Sequence, residues 1–170
     1  MKLYMKQKVF SWRERFFIKD EGGNDCYTIE GEILSIGRKL HIKNANGEVV
    51  AYIHQKLIAF TPRFFVEIDG KEVCEIIKEI KLFKQSYRID GLPLHLDGNF
   101  MEREYNLNSH DGPVMQIRKK MLGWGDSYEL DIADPKDEVL CLCIAMAIEC
   151  VLQENEEVET NALIANEHKK

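Results

Sequence analysis

The sequence predicts a mainly β protein, a closed antiparallel barrel of about twelve strands that encloses one carboxyl-terminal hydrophobic α-helix. Two observations support this fold class. Short segments of alternating polar and apolar residues, separated by turn residues, follow one another as far as residue 132. The run at residues 139–148 then contains no polar residue. Because a helix that is apolar on every face must be surrounded, the strands are expected to enclose it.

Turn chemistry separates the predicted strands. The acidic, glycine-containing segment 20–25 and the Asn46–Gly47 pair each indicate a hairpin, and Asp-Gly pairs mark later turns. Residues 4–10 are expected to form a first strand or a short arm. The predicted strands that follow are residues 15–19, 26–30, 32–36, 39–43, 48–55, 64–68, 72–77, 81–87, 92–96, 102–106, 114–119 and 128–132. Since no helical pattern interrupts this series, a barrel with few open edges is favoured over an open sheet.

The predicted helix covers residues 134–153. Asp134 suits the N-cap and Pro135 the first helical position, where no backbone N–H is required. Asp137 and Glu138 lie where the helix dipole favours negative charge. We therefore expect one domain over residues 1–153 that includes this central helix. Residues 154–170 are expected to form a polar tail that starts as a frayed continuation of the helix.

Three pairs of segments suggest an internal repeat. Residues 27–31 (YTIEG) resemble residues 87–91 (YRIDG), residues 47–56 resemble residues 112–120, and residues 65–68 resemble residues 128–131. The order of the segments is the same twice, which predicts two related half-barrels. Chance similarity between short strands is the alternative, because strands follow few patterns.

Composition excludes several classes of protein. A chain of 170 residues with a formal net charge of −6 is long enough for one core and disfavours broad nucleic-acid binding. Neither a signal peptide nor a transmembrane run is present, so a cytoplasmic location is expected. The five cysteines form no C-x-x-C pair. Cys141 and Cys143 would point to different sides of the helix, so buried thiols in a reducing compartment are predicted rather than a metal site.

No motif for a cofactor or for catalysis is present, and we expect neither a cofactor nor a metal. His41 and His54 lie on either side of the Asn46–Gly47 turn and are expected to approach each other across the hairpin. No carboxylate at ligand spacing completes a metal site with them. The sequence therefore predicts a protein that is not an enzyme.

The turn segments YTIEG and YRIDG, the segment GEVVAYI at residues 47–53 and the terminal apolar helix together resemble the LURP-one-related family. That family shares its fold with the Tubby carboxyl-terminal domain and the phospholipid scramblases. The resemblance covers about residues 3–153 and implies a twelve-stranded closed barrel threaded by one hydrophobic helix. Tubby-like domains bind phosphoinositides through a basic cluster, but no run of residues in this chain aligns with that cluster.

Basic residues at the ends of predicted strands form the candidate binding surface. If the barrel brings them to one rim, they would attract phosphate groups or anionic headgroups. The alternative is that they protect exposed strand edges against association. The candidate residues are Lys56, Lys78, Lys81, Lys84, Arg118, Lys119 and Lys120.

Trp124 lies between two glycines, just after a basic segment. An exposed loop of this composition is typical of a peripheral contact with a membrane or a partner. The alternative is a hairpin tip folded back onto the barrel, because large exposed apolar groups are uncommon on soluble monomers.

The sequence as a whole predicts a non-enzymatic binding or scaffold module, located in the cytoplasm or at the inner face of the membrane. The expected partners are anionic lipid headgroups or another protein. Two alternatives stay open at this point: a carrier or sensor whose small ligand enters the barrel, and a hydrolase whose site is assembled from scattered residues.

Overall fold

The computed structural model describes residues 1–6, 15–32, 34–81, 85–122 and 125–167. It confirms the predicted fold class: twelve antiparallel strands form a closed barrel around one carboxyl-terminal helix. The strands are β1 (Lys2–Lys6), β2 (Arg15–Lys19), β3 (Asp25–Gly31), β4 (Lys39–Asn44), β5 (Val49–Gln55), β6 (Arg63–Ile68), β7 (Lys71–Glu79), β8 (Ser86–Asp90), β9 (Leu94–Asn99), β10 (Glu104–Ser109), β11 (Gly112–Leu122) and β12 (Gly125–Ile132).

The strands follow one another around the barrel in sequence order, and the barrel closes where β1 pairs with β12. That pairing runs from Lys2 opposite Asp131 to Lys6 opposite Ser127. Because all neighbours are antiparallel, every odd-numbered strand ends at the same mouth of the barrel. The helix starts directly after β12, at the other mouth. We call these the N mouth, where the helix begins, and the C mouth, where the odd-numbered strands end.

The structure departs from the predicted strands at residues 32–36. Residues 32 and 34–36 belong to the loop between β3 and β4, where the Ser35 hydroxyl donates to the carbonyl oxygen of Gly37 at 2.8 Å. Gly37 has a φ of +77°, a conformation that other residues adopt with strain. The alternating pattern was misleading because a local serine contact and a left-handed glycine turn the chain here. The strand predicted at 81–87 begins only at Ser86.

The helix begins as predicted and extends further than predicted. The Asp134 side chain accepts a hydrogen bond from the Lys136 amide at 3.0 Å, and a 3₁₀ turn (Pro135–Asp137) leads into α1 (Glu138–Glu167). The predicted end was residue 153. Neither proline nor glycine follows that residue, and glutamate favours helix, so the chain stays helical after its apolar run ends. Among the described residues, no helix is both long and apolar enough to cross a bilayer.

The core lies between α1 and the inward-facing side chains of the strands. Residues 141–148 of α1 are all buried, whichever side of the helix they occupy. Strand residues alternate as a barrel requires: Ala51 and Ile53 of β5 face the helix, while Tyr52 and His54 are partly exposed on the outer face. The helix thus completes a core that the strands alone would leave open.

The internal repeat matches the barrel in two of its three segment pairs. Residues 47–56 include β5 and residues 112–120 lie in β11, and residues 65–68 and 128–131 lie in β6 and β12. Both pairs are related by a shift of six strands, which is half of the barrel. Residues 27–31 lie in β3, whereas residues 87–90 lie in β8, which runs in the opposite direction. That third similarity is therefore not structurally equivalent.

The burial of four cysteines leads to a testable prediction. Burial raises the pKa of Cys74, Cys141 and Cys150 to about 12, and it also raises that of Cys143. These thiols stay protonated at pH 8, and the barrel excludes reagents from them. In the native protein we expect Ellman's reagent to modify at most the partly exposed Cys26, and all five cysteines after unfolding.

The control for this measurement is Cys26→Ser, which should leave the native protein without a reactive thiol. Rapid reaction of more than one thiol in the native wild-type protein would show that α1 is not enclosed by the barrel.

Candidate functional site

The C mouth brings together the polar groups that hold the emerging helix. The Arg38 guanidinium donates to the carbonyl oxygen of Cys150. The Gln55 amide donates to Glu154 at 3.2 Å, and the Lys78 ammonium donates to Asn155 at 2.9 Å. These contacts come from the loop before β4 and from the ends of β5 and β7. These hydrogen bonds therefore hold α1 at the point where it leaves the barrel.

Arg103 and Glu149 form an ion pair at the same mouth. The guanidinium donates to both carboxylate oxygens at 2.6–2.9 Å, and it reaches Glu156 at 3.3 Å. The side chains of Arg103 and Glu149 are only 16% and 7% exposed. Arg103 has a φ of +56°, in the left-handed region that favours glycine. The ion pair thus connects the loop between β9 and β10 to the helix.

Burial and pairing act together on this ion pair. Burial raises the pKa of the Glu149 carboxyl, although Arg103 favours its charged form. Burial alone would lower the pKa of Arg103, but hydrogen bonding to Glu149 raises it above its usual value. The guanidinium also lies 5.6 Å from the centre of the Tyr128 ring, which adds a cation–π contact. The pair therefore depends on both partners being present.

The predicted basic residues on β5 and β7 lie on neighbouring parts of the C mouth. Lys56 follows β5 and is exposed, with its ammonium 5.5 Å from the centre of the Phe65 ring. Lys78 lies at the end of β7, and Lys81 bridges Glu79 at 2.9 Å. Within the described part of the chain, neither Lys56 nor Lys78 has a carboxylate within 4.0 Å. Their positive charges are therefore available to an anion from outside.

The second predicted basic group lies across the barrel. It is on β11, which is separated from β5 by five strands in either direction. Arg118 donates to Glu129 at 2.8 Å, and Lys120 lies 4.0 Å from the same carboxylate. Lys119 is exposed at this side of the mouth. Lys56, Lys78 and Lys81 thus lie at one side of the C mouth, whereas the β11 group lies on the opposite side of the barrel, with Arg118 on its outer face.

Glu129 of β12 is the centre of an ionic cluster on the outer face. Besides Arg118, it accepts a hydrogen bond from the Tyr4 hydroxyl at 3.1 Å and lies 3.6 Å from the Lys2 ammonium. Burial opposes ionisation, but the hydrogen bonds from Arg118 and Tyr4 lower the pKa of Glu129. Burial together with Glu129 raises the pKa of Tyr4 to about 12. This cluster joins β1, β11 and β12, so it stabilises the closure of the barrel.

The two histidines do not pair across the hairpin: His41 lies opposite Tyr52, His54 lies opposite Lys39, and each histidine has a carboxylate partner. His41 lies 2.8 Å from Glu32, and His54 lies 3.1 Å from Glu67. The ring of Tyr52 separates them, with centroid distances of 4.8 Å to His41 and 5.3 Å to His54. In the ranges that the structure describes, no group of three or more His, Cys, Asp or Glu side chains could hold a metal ion.

Sequence reasoning missed a set of exposed apolar residues at the C mouth. Leu34 is 98% and Ile58 is 91% exposed, and Phe60 is fully exposed. A signal was present in the run Leu57-Ile58-Ala59-Phe60, which is apolar without strand alternation and lies between two strands. Leu34 was hidden in a segment that resembled a strand. Two predicted contact residues, Lys84 and Trp124, lie outside the described residues.

Comparison with known proteins agrees with this architecture. The chain is 36% identical over 157 residues to the uncharacterized protein YxjI of Bacillus subtilis strain 168, covering 92% of this chain and 97% of that protein. Its structure resembles the X-ray structure of a protein from Arabidopsis thaliana, with a TM-score of 0.60 and 14% identity over 87% of this chain and 89% of the other. At this identity the likeness shows the fold alone.

A family model gives the remaining evidence. The model described as LURP-one-related matches residues 1–149, which include all twelve strands and the whole apolar run 139–148 of α1. The resemblance noted from the turn segments and the terminal helix is thereby confirmed. This chain belongs to the LURP-one-related family.

Proposed function

We propose that the protein is a non-enzymatic binding module that contacts anionic phospholipid headgroups through the lysines at the β5–β8 side of the C mouth. The observation that carries the proposal is the position of Lys56, Lys78 and Lys81 on neighbouring loops and strand ends, with two of the three lacking a carboxylate partner among the described residues. Each lysine near an anionic surface contributes about 1 kcal/mol. The proposal places the protein at the cytoplasmic face of a membrane.

The predicted group Arg118, Lys119 and Lys120 has a smaller part in this proposal. Arg118 and Lys120 are held by Glu129, so an incoming anion would have to compete with a buried carboxylate. Lys119 lies across the mouth from Lys56. The proposal therefore assigns the contact to one side of the mouth and assigns Arg118 and Lys120 to barrel closure.

The filled interior supports a binding surface over a carrier. The α1 residues between Cys141 and Ile148 are buried against the inward-facing strand residues, with exposed fractions of 0–2%. A small ligand inside the barrel would have to displace this helix. In the part of the chain that the structure describes, two surface grooves lie between loops at the C mouth. A ligand is therefore expected at the mouth rather than inside.

Vesicle flotation tests the proposal. The wild-type protein is expected to float at low salt with vesicles that contain phosphatidylserine, and to float less in about 1 M salt, where the screening length falls to about 3 Å. It should not float with neutral phosphatidylcholine. Lys56→Glu reverses one exposed charge and should weaken binding by about an order of magnitude or more.

The matched control is Lys71→Glu. Lys71 is also exposed, but it lies at the start of β7, at the N mouth. The proposal requires this variant to bind as the wild-type protein does. Absence of flotation at low salt, or equal losses in both variants, would contradict the proposed contact surface.

A further inference from the structure

Six large apolar side chains project from three successive loops at the C mouth. We call them the apolar crescent. They come from the loops β3–β4, β5–β6 and β7–β8, whose strands are neighbours in the barrel. The crescent consists of Leu34, Ile36, Leu57, Ile58, Phe60 and Ile80, with exposed fractions between 61% and full exposure. Because the other apolar side chains of the barrel largely face the core, such a concentration at one mouth indicates an interaction surface.

The crescent is continuous from loop to loop. Leu34, Ile36 and Leu57 line one shallow groove, and Phe60 and Ile80 line the next. The β3–β4 and β5–β6 loops lie in close contact: Leu57 Cδ2 is only 2.5 Å from the place that a Cβ atom on Gly37 would occupy. The tips are therefore presented together, on loops that support one another.

Lysines alternate with these apolar tips. Lys39 and Lys81 lie in the same two grooves and are bridged to Glu32 at 3.4 Å and to Glu79 at 2.9 Å. Lys78 lines the second groove and Lys56 precedes Leu57, and neither has a carboxylate within 4.0 Å among the described residues. Among the described residues of these three loops and the strand ends beside them, the charge without an opposite partner is thus positive. Apolar tips between unneutralised lysines complement a surface with anionic groups outside and hydrocarbon beneath.

We propose that the apolar crescent enters the hydrocarbon boundary of an anionic bilayer, so that the loop tips as well as the lysines hold the protein on the membrane. This inference rests on the proposed function and adds insertion to headgroup contact. Side chains that project from three separate loops suit a deformable lipid surface, which fills the space around each of them. A rigid protein partner would need a matching cavity for every tip.

The projecting part of α1 determines the orientation. α1 is buried as far as Leu152 and continues to Glu167, and the side chains described from Glu156 onward are exposed. The segment 157–167 adds about 16 Å of helix beyond the loop that holds Glu156 through Arg103. A bilayer lying flat across the mouth would meet this helix first. The barrel must therefore tilt so that its β3–β8 side faces the membrane, which keeps Lys119 on the opposite side away from it.

Site-specific fluorescence tests the insertion. In a Cys26→Ser background the remaining native cysteines are buried, so Ile58→Cys can be labelled with an environment-sensitive NBD dye. With phosphatidylserine vesicles, the label at position 58 should shift to shorter wavelength, brighten and be quenched by spin-labelled acyl chains. The matched control is Asn46→Cys, exposed in the turn between β4 and β5 at the N mouth, where neither change should occur.

A second test of insertion uses protein without a fluorescent label. Ile58→Ser with Phe60→Ser should reduce vesicle partitioning about a hundredfold, since each of the two inserted apolar side chains contributes about one order of magnitude. Val49→Ser removes an exposed apolar side chain at the N mouth and should leave partitioning unchanged. Because all three side chains are exposed, the melting temperatures of both variants should stay near that of the wild-type protein.

The outcomes separate the two proposals. Salt-sensitive flotation without a spectral shift at position 58 would overturn insertion and leave headgroup contact intact. Absence of flotation would overturn both. Reversible self-association of the wild-type protein that is lost in the Ile58→Ser and Phe60→Ser double variant, without vesicle binding, would identify the crescent as an interface between protein chains and overturn the membrane proposal.

Discussion

Ile144→Asp is expected to prevent the protein from reaching its folded, monomeric state. Ile144 lies in the middle of α1 with no exposed surface, and the side chains around it are apolar. A carboxylate there must be ionised without a partner or protonated at a cost, and either costs several kcal/mol. The stability of a domain is only about 5–15 kcal/mol in total. The soluble fraction after expression and the elution volume in size-exclusion chromatography measure the effect.

Two controls on the same helix separate burial from helix formation. Ile144→Val removes one methylene and should cost about 0.5–1.5 kcal/mol while leaving the protein folded. Ile164→Asp places the same charge on the exposed part of α1, where no loss of folding is expected. A folded and monomeric Ile144→Asp protein would refute the conclusion that the barrel encloses the helix.

Arg103→Ala is expected to destabilise the protein by about 3–5 kcal/mol, because it leaves the buried Glu149 carboxylate without its partner. The positive φ of residue 103 is equally unfavourable for arginine and alanine, so backbone strain does not contribute to the difference. Urea unfolding of the wild-type and variant proteins measures the loss. Glu149→Gln added to Arg103→Ala should restore part of the stability, since a neutral amide costs less to bury.

The pH dependence of this loss has a definite sign. Burial raises the pKa of Glu149 in the folded protein, and removing Arg103 raises it further. A carboxyl group whose pKa is higher in the folded state stabilises folding below its unfolded pKa and loses that contribution as pH rises through the folded pKa. Arg103→Ala should therefore lose less stability near pH 4 than at pH 8. Equal losses at both values would show that Arg103 acts by packing alone.

Much of the barrel follows from local patterns in the sequence. Period-two alternation in residues 39–43 and 64–68 identifies β4 and β6, and the cap at Asp134 identifies the start of the helix. The polar end of α1 was not predicted in full. The hydrophobic pattern ends at residue 153, but the residues that follow still have a propensity to form helix. The β3–β4 loop was missed because its residues alternate like those of a strand.

The binding surface was predicted only in part. The sequence contains basic residues after several predicted strands, and antiparallel order brings Lys56, Lys78 and Lys81 to one side of the C mouth. The sequence does not show that Arg118 and Lys120 share Glu129. It also does not show that Lys56 has no carboxylate partner among the described residues. Both facts depend on strand register and on the closure of the barrel. The exposure of Ile58 and Phe60 could not be inferred either. An apolar residue in a loop is equally compatible with packing back onto the barrel.

The sequence by itself determined that this protein is a β-barrel around an apolar helix, because alternation and all-round apolarity are local properties that only enclosure satisfies. Only the tertiary structure decided which charges are neutralised and which side chains meet the surroundings. Arg103 and Glu149 are 46 positions apart, and the Glu129 cluster draws on three strands. Such contacts arise from closing the barrel, which brings distant residues to one mouth and leaves the apolar crescent outside the core.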